Sequence, residues 1–204
     1  MLIKKFCLIW LLFASFSAVI HATTITQLQE KLSAHQIVRG QYTQIKNMQL
    51  FKQPLLSSGE FLIEQQQGLL WSQTKPFLIT LALNKDKLSQ RIADQPAQIM
   101  QASDNPMVFY FSHLFLSLFK GDTEGLSEQF VMELQSKGER WSLLLTPKSS
   151  PLDKIFQQIT ISGATYIETL QLNELQGDST KINFINQHSY PPHLSKDERS
   201  SLQF

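Results

Sequence analysis

Residues able to do chemistry are few in this 204-residue chain and do not converge. His35, His113, His188 and His193 fall in three separate regions, and the pair His188 and His193 has no third donor at an obvious spacing. A metal ion needs several ligands that meet, so no metal site is expected. The only cysteine is Cys7, near the amino terminus. Carboxylate pairs such as Glu60 and Glu64, or Glu133 and Glu139, could in principle share acid–base work, but they stand in strand and turn patterns, where solvated charges are the ordinary reading. There is no G-x-S-x-G elbow, and the eight glycines are too isolated for a phosphate loop. The expectation is a protein that is not an enzyme and uses no cofactor. A hydrolase built on one carboxylate pair is an alternative, and changing one or two polar residues would abolish it.

What the sequence does carry is a strongly apolar segment, NPMVFYFSHLFLSLFKG, from Asn105 to Gly121. Asn105 is a good helix N-cap, Pro106 suits the first helical position and Gly121 suits the stop. At 100° per residue His113, Ser117 and Lys120 share one narrow polar stripe, and large apolar side chains cover the rest. Thirteen residues of helix reach roughly 20 Å, short of the ~30 Å of a bilayer core. Covering ten large apolar side chains is worth about 15–30 kcal/mol, so this helix must lie in or over something apolar. Two readings stay open: a helix plugging the core, or a movable lid over an apolar space.

The amino-terminal stretch MLIKKFCLIWLLFASFSAVIHA has Lys4 and Lys5, an apolar run and small residues before Thr23. It is expected to be a secretory signal peptide, residues 1–22, cleaved after Ala22. Ile20 is large for its position before the cleavage site, so an uncleaved anchor is the alternative. Cleavage removes two of the 18 basic residues, none of the 17 acidic ones, and the cysteine. The remaining domain, residues 23–204, is then nearly neutral, which gives no electrostatic footprint for nucleic acid. Without disulfides it must be held by its core and its hydrogen bonds.

The elements around the apolar helix are mostly strands. TTITQLQEKLSAH offers Thr24 as N-cap with Gln27 three residues on, and places Ile25, Leu28 and Leu32 on one side of a leading helix. Alternation then puts Phe61 and Ile63 on one face, Phe77, Ile79, Leu81 and Leu83 on one face, and Trp141, Leu143 and Leu145 on one face. About eight to ten antiparallel strands are expected, with turns at SKGE, SGA and LQGDS. The tail from His188, with Pro191 and Pro192, reads as a partly ordered end. The fold class is α+β, mostly β: a curved antiparallel sheet whose apolar face is covered by helices.

Val38 to Phe77 resembles the first strands of the periplasmic outer-membrane lipoprotein carriers, the LolA family. The matches are Gly40, Tyr42 and Gln44, then Ser58, Gly59 and Phe61, then Gly68, Leu69 and Trp71, then Pro76. A second patch, LLLTPKSSPLDKIFQQITIS, is similar to a later strand pair of the family at Leu145 to Lys148 and Ile159 to Ile161. The resemblance implies an open half-barrel closed by helices around a cavity for acyl chains. It also implies a monomer in the periplasm of a Gram-negative bacterium that takes lipoprotein or lipid cargo from an inner-membrane donor complex to an outer-membrane acceptor. The best-understood members latch the lid with a basic residue on an early strand. This sequence departs there, with Glu60 and Glu64 and no Lys or Arg between Gly59 and Trp71. Another lipid or a glycolipid is therefore as good a cargo candidate as a lipoprotein.

By alternation, the sheet side of the lipid-binding cavity is expected to be Phe61, Ile63, Trp71, Ile79, Leu81 and Trp141, and the lid side Phe111, Leu114, Phe115 and Leu118. The rival is an interaction module that transports nothing and whose interior is filled.

Overall fold

The computed structural model describes residues 23–85, 87–101, 103–104 and 106–204, without the side chains of residues 106–108 and 111. The expected signal peptide, the Asn105 cap and the Phe111 side chain lie outside the described residues.

Helix α1 (Ile25–Ser33) begins as its sequence dictates. Gln27 N donates to Thr24 Oγ1 at 3.2 Å and Thr24 N donates to Gln27 Oε1 at 3.0 Å, which satisfies two amides that the first helical turn leaves without partners. Leu28 and Leu32 are its buried side.

The chain then forms β1 (Ile37–Asn47), β2 (Leu55–Glu64), β3 (Gly68–Lys75), β4 (Ile79–Leu83), β5 (Lys87–Ile92) and β6 (Gln98–Gln101). Helices α2 (Pro106–Lys120) and α3 (Thr123–Gln129) follow. The second half is β7 (Phe130–Lys137), β8 (Arg140–Pro147), a 3-10 turn at Leu152–Lys154, β9 (Phe156–Gly163), β10 (Ile167–Glu174), β11 (Ser179–His188) and helix α4 (Lys196–Leu202). Among the described residues, all eleven strands belong to one antiparallel sheet in the order β6-β5-β4-β3-β2-β1-β11-β10-β9-β8-β7, with edges at β6 and β7.

This sheet cannot be flat. At about 4.8 Å per strand, β2 and β7 stand roughly 29 Å apart along the sheet, whereas nine residues of helix span only about 14 Å. Yet α1 reaches both. Thr23 N donates to Ser136 Oγ on β7, Lys31 pairs with Glu139 in the β7–β8 turn, and Gln65 Nε2 in the β2–β3 turn donates to the His35 carbonyl just past the helix. The sheet therefore wraps around α1 and α2, and side chains from both of its halves share one hydrophobic core with Phe109, Leu116, Leu118 and Phe119 of α2.

Register fixes which residues face that core. One row across the first half is Val38–Ile63–Leu69–Leu83–Leu88–Met100, and the next is Gly40–Phe61–Trp71–Leu81–Gln90–Gln98. Helix α2 ends at Gly121, whose φ of +65 favours glycine. A Cβ there would also lie 2.9 Å from the Gln29 carbonyl of α1, so the α1–α2 crossing requires the bare backbone.

The sequence reading falls short in four places. Eleven strands form where eight to ten are expected; β6 has four residues, of which Gln98, Ile99 and Gln101 are exposed, and so gives little periodic signal. Helix α3 is short and capped by Asp122, whose side chain accepts from Gly125 N. The tail is ordered: Ser195 and Glu198 form a second capping box, and Leu194 and Leu202 are buried with Ile37 and Leu62 on the sheet's other face. Finally, Glu64 is buried instead of solvated, accepting from Gln66 N at 2.8 Å and also from Gln67 N in the β2–β3 turn.

Candidate functional site

The site is built where α2 crosses the inner face of β1, β2, β3 and β11. Tyr42 is paired with Phe184, and Phe61 with Trp71, so four rings from four adjacent strands face one side. Phe61 fits because Gly40 opposite it has no side chain; a Cβ there would lie 2.9 Å from Phe61 Cε1 and 2.9 Å from the Ile185 carbonyl. From above, α2 adds Phe115 and Phe119, one helical turn apart.

Several of these rings meet in the edge-on geometry their quadrupoles prefer. Tyr42 stacks on Trp71 with centroids 3.8 Å apart, Phe115 stands edge-on to Trp71 at 6.1 Å, and Phe119 stands edge-on to Phe184 at 5.3 Å. Phe61 meets Phe184 at 5.1 Å and Phe119 at 6.3 Å. The cluster therefore joins α2 and the sheet through apolar faces. Among the polar contacts of α2, Tyr110 Oη donates to Gln129 Oε1, which lies just ahead of β7 on α3 and not on the facing strands.

All six expected sheet-side residues point to this one face, as register shows. Phe61, Ile63 and Trp141 are buried, while Trp71, Ile79 and Leu81 are half-buried. Of the expected lid-side residues, Leu118 is buried and Leu114 and Phe115 are half-buried. The structure brings Phe61, Trp71 and Phe115 together in the ring cluster. Trp141 shares the core but lies on β8, where its indole N–H donates to the Ala164 carbonyl at 2.8 Å. Sequence reasoning did not select Tyr42, Phe119 or Phe184 for the site. Phe184 sits two residues from Ile182 in an alternating strand, and Phe119 four residues after Phe115, so alternation and helical spacing were the available signals.

Where the carrier reading expects a hollow, Phe115 and Phe119 of α2 pack on Trp71, Phe61 and Phe184. Between the helices and the sheet, the described residues line a void of about 10 Å³ bordered by Leu32, Val38, Phe119 and Ile167. Larger clefts lie elsewhere, such as one of about 480 Å³ beside Arg39, Glu60 and Glu198. Exposed apolar side chains gather at one end of the sheet. The β1–β2, β3–β4 and β5–β6 connections all lie at that end, where Leu50, Phe51, Leu55, Leu56, Phe77, Leu78 and Ile92 are exposed.

Charge is used away from this face. Arg39 on β1 donates from Nε and Nη2 to the two carboxylate oxygens of Glu198 at 2.7 and 2.8 Å, and from Nη1 and Nη2 to the Pro191 and His193 carbonyls. Hydrogen bonds from Arg39 hold the Glu198 carboxyl down at about 2, against the opposing effect of burial, with help from Ser195. An early-strand arginine thus clasps the carboxy-terminal tail to the opposite face instead of latching the apolar helix. Under the helix, burial pushes the Tyr42 hydroxyl up to about 12, opposed by the Trp71 indole. Burial lowers the pKa of His35, which favours its neutral ring. No group of three or more His, Cys, Asp or Glu able to hold a metal ion is found among the described residues.

Such a face can bind and desolvate apolar matter, and the arrangement defines a class: a wrapped antiparallel sheet with an apolar helix over its inner face. Residues 17–182 match the family described as outer membrane lipoprotein carrier protein LolA-like, and the chain belongs to that family. No curated protein sequence matches it. Among solved structures it is similar to a LolA superfamily protein from Nitrosomonas europaea, at 8% identity over 85% of this chain and 96% of that one, with a TM-score of 0.47. It is also similar to a DUF1329 family protein from Desulfovibrio piger, at 13% identity over 88% and 96% of the two chains, with a TM-score of 0.49. A third likeness, at 10% identity over 90% and 98% and a TM-score of 0.49, is to a domain from Vibrio parahaemolyticus described as sorting outer membrane lipoproteins.

Proposed function

We propose that this protein is a periplasmic carrier that binds the acyl chain of a lipoprotein or another lipid between α2 and the inner face of β1–β4 and β11, and shuttles it from the inner to the outer membrane. The observation that carries the reading is the lid contact itself. An apolar helix rests on an aromatic floor through half-buried ring edges, Phe115 on Trp71, beside an end of the sheet lined with exposed apolar side chains. Membership of the LolA-like family supports the same class of cargo.

The energetics allow an exchange of contacts. A sixteen-carbon chain gains about 12 kcal/mol on burial at ~0.8 kcal/mol per methylene, whereas uncovering half-buried rings such as Phe115 and Trp71 costs at most about 1.5–3 kcal/mol each plus about 0.5–1.5 kcal/mol for their contact. A chain that takes the place of the lid's half-buried rings can therefore offset what they give up. The proteins that hand over and receive the cargo are expected at the two membranes, and the side chains involved contribute contact, with no covalent step.

One observation favours a second reading. The ring cluster and the 10 Å³ void among the described residues fit an interaction module that transports nothing and whose interior is filled. Phe115→Ala separates the two. For a carrier, weakening the closed lid lowers the cost of opening, so affinity for a fluorescent C16 fatty-acid probe rises, by roughly threefold to tenfold for about 1 kcal/mol of lost lid contact. For a filled module, neither the parent nor the variant takes up the probe.

A further inference from the structure

Two hydroxyls on the covered face have no hydrogen-bond partner although both are buried: Tyr42 Oη and Ser57 Oγ. Tyr42 as a residue is 1% exposed. Its ring stacks on Trp71, and the indole N–H is the polar group at hand there, but an indole nitrogen only donates. It can give a hydrogen to the phenol oxygen and cannot accept the phenol's own proton. That proton is left without an acceptor in this structure, an arrangement native proteins avoid unless something else supplies the partner.

The two residues occupy adjacent positions of one face. Tyr42 is paired with Gly59 and Gln44 with Ser57, so Tyr42 and Ser57 are diagonal partners on the same face of β1 and β2, with no side chain opposite the tyrosine. Their place along the face matters as much. On one side lies the ring cluster with Phe61, Trp71 and Phe115. On the other, Leu55, two residues on from Ser57, and Ile92, paired with Ile79, are 49% and 47% exposed at the apolar end of the sheet. A lipid entering from that end with its tail along the rings leaves its polar linkage beside these two donors.

We propose that Tyr42 Oη and Ser57 Oγ form a subsite for the carbonyl oxygen of an ester- or amide-linked acyl chain. A carbonyl oxygen has two lone pairs and can accept from both hydroxyls at once, whereas a bare hydrocarbon offers nothing and an ether oxygen is a poorer acceptor. The subsite rests on the carrier reading and deepens it by assigning the residues that hold the ester or amide linkage of the acyl chain.

The test uses the full mature chain and two probes, a palmitoyl lysophosphatidylglycerol and its O-hexadecyl ether analogue, titrated calorimetrically below their micellar concentrations. The parent protein is expected to bind the ester about fivefold to tenfold more tightly than the ether. Tyr42→Phe is expected to remove most of that preference by weakening the ester alone, and Ser57→Ala to reduce it in part. Equal binding of both probes by the parent, or an equal loss for both in Tyr42→Phe, overturns the subsite and leaves the carrier reading standing. Binding of neither probe overturns both. A ligand-free readout stands beside these: a phenylalanine in place of an unpartnered tyrosine should leave the melting temperature unchanged or raised. A fall of several degrees would mean that the hydroxyl has a protein partner, and would also overturn the proposal.

Discussion

Phe61→Ala is expected to destabilise the protein by about 3–5 kcal/mol, the range for deleting a buried aromatic side chain when its surroundings cannot collapse into the space. Phe61 is 3% exposed and meets Phe184, Phe119 and Trp71 with centroids 5.1 to 6.3 Å apart. Collapse is hindered because the neighbouring position is Gly40, which has no side chain to lean inward, and because the other three rings are already fixed on different elements. Since whole domains are stable by only about 5–15 kcal/mol, this one change removes a large part of the total. At a slope of about 2 kcal/mol per molar urea, the midpoint falls by roughly 1.5–2.5 M with the slope itself unchanged. A loss under about 1 kcal/mol would mean that the ring cluster does not hold the lid side and the sheet side together.

Arg39→Ala is expected to cost about 2–4 kcal/mol, because it removes two charge-assisted bonds to Glu198 and two bonds to tail carbonyls while leaving a carboxylate largely covered. The pair is sheltered, at 11% and 24% side-chain exposure, unlike the exposed Arg140–Glu168 pair, for which a cost near zero is expected. The pH dependence has a definite sign. The Glu198 carboxyl titrates at about 2 in the folded protein against an ordinary 4.5, so its contribution is complete above pH ~4.5 and fades as the pH falls toward 2. In Arg39→Ala that acid-sensitive contribution should be largely absent. Hydrogen-exchange protection at the amides of Lys196 to Leu202, each rate taken relative to the intrinsic rate at that pH, reads it directly: lower in the variant at pH 7, and falling in the parent only as acid is added. Unchanged exchange in the variant would show that the tail is held by Leu194 and Leu202 alone.

These two residues also show what the sequence could and could not reveal. Phe61 was legible because its strand alternates cleanly, and the structure keeps that alternation from β2 through β4 without a slip that would turn the face over, although Thr74 bulges out of β3. The leading helix was legible for a similar reason, since Thr24 and Gln27 interact within four residues. Arg39 was not. Its partners lie more than 150 residues away, and nothing local distinguishes it from any other arginine beside a glycine. The tail misled in the same way: two prolines and a run of polar residues suggest disorder, while Leu194 and Leu202 become meaningful only once Ile37 and Leu62 present an apolar patch on the sheet's second face.

The covered face was half legible. Periodicity placed Phe61, Ile63, Trp71, Ile79 and Leu81 on one side, and register agrees. It could not place Tyr42 against Trp71 across an intervening glycine strand, because that contact depends on the register of three strands at once. Nor could it show whether the greasy helix leaves a space beneath it. A helix apolar on nearly every side satisfies a filled interior and a hollow one equally, and only the positions of Phe115, Phe119 and Phe184 show which rings meet beneath it.

The central claim is that α2 lifts from its aromatic floor to admit an acyl chain. The most direct measurement is native mass spectrometry of the mature protein after incubation with a monodisperse C16 acyl lipid, with hydrogen exchange followed over α2 in the same samples. The account predicts a one-to-one adduct, and a change of exchange in α2 and in β1–β3 that is absent from β7–β9. A chain that takes up no lipid, and whose α2 amides exchange only with global unfolding, would contradict it.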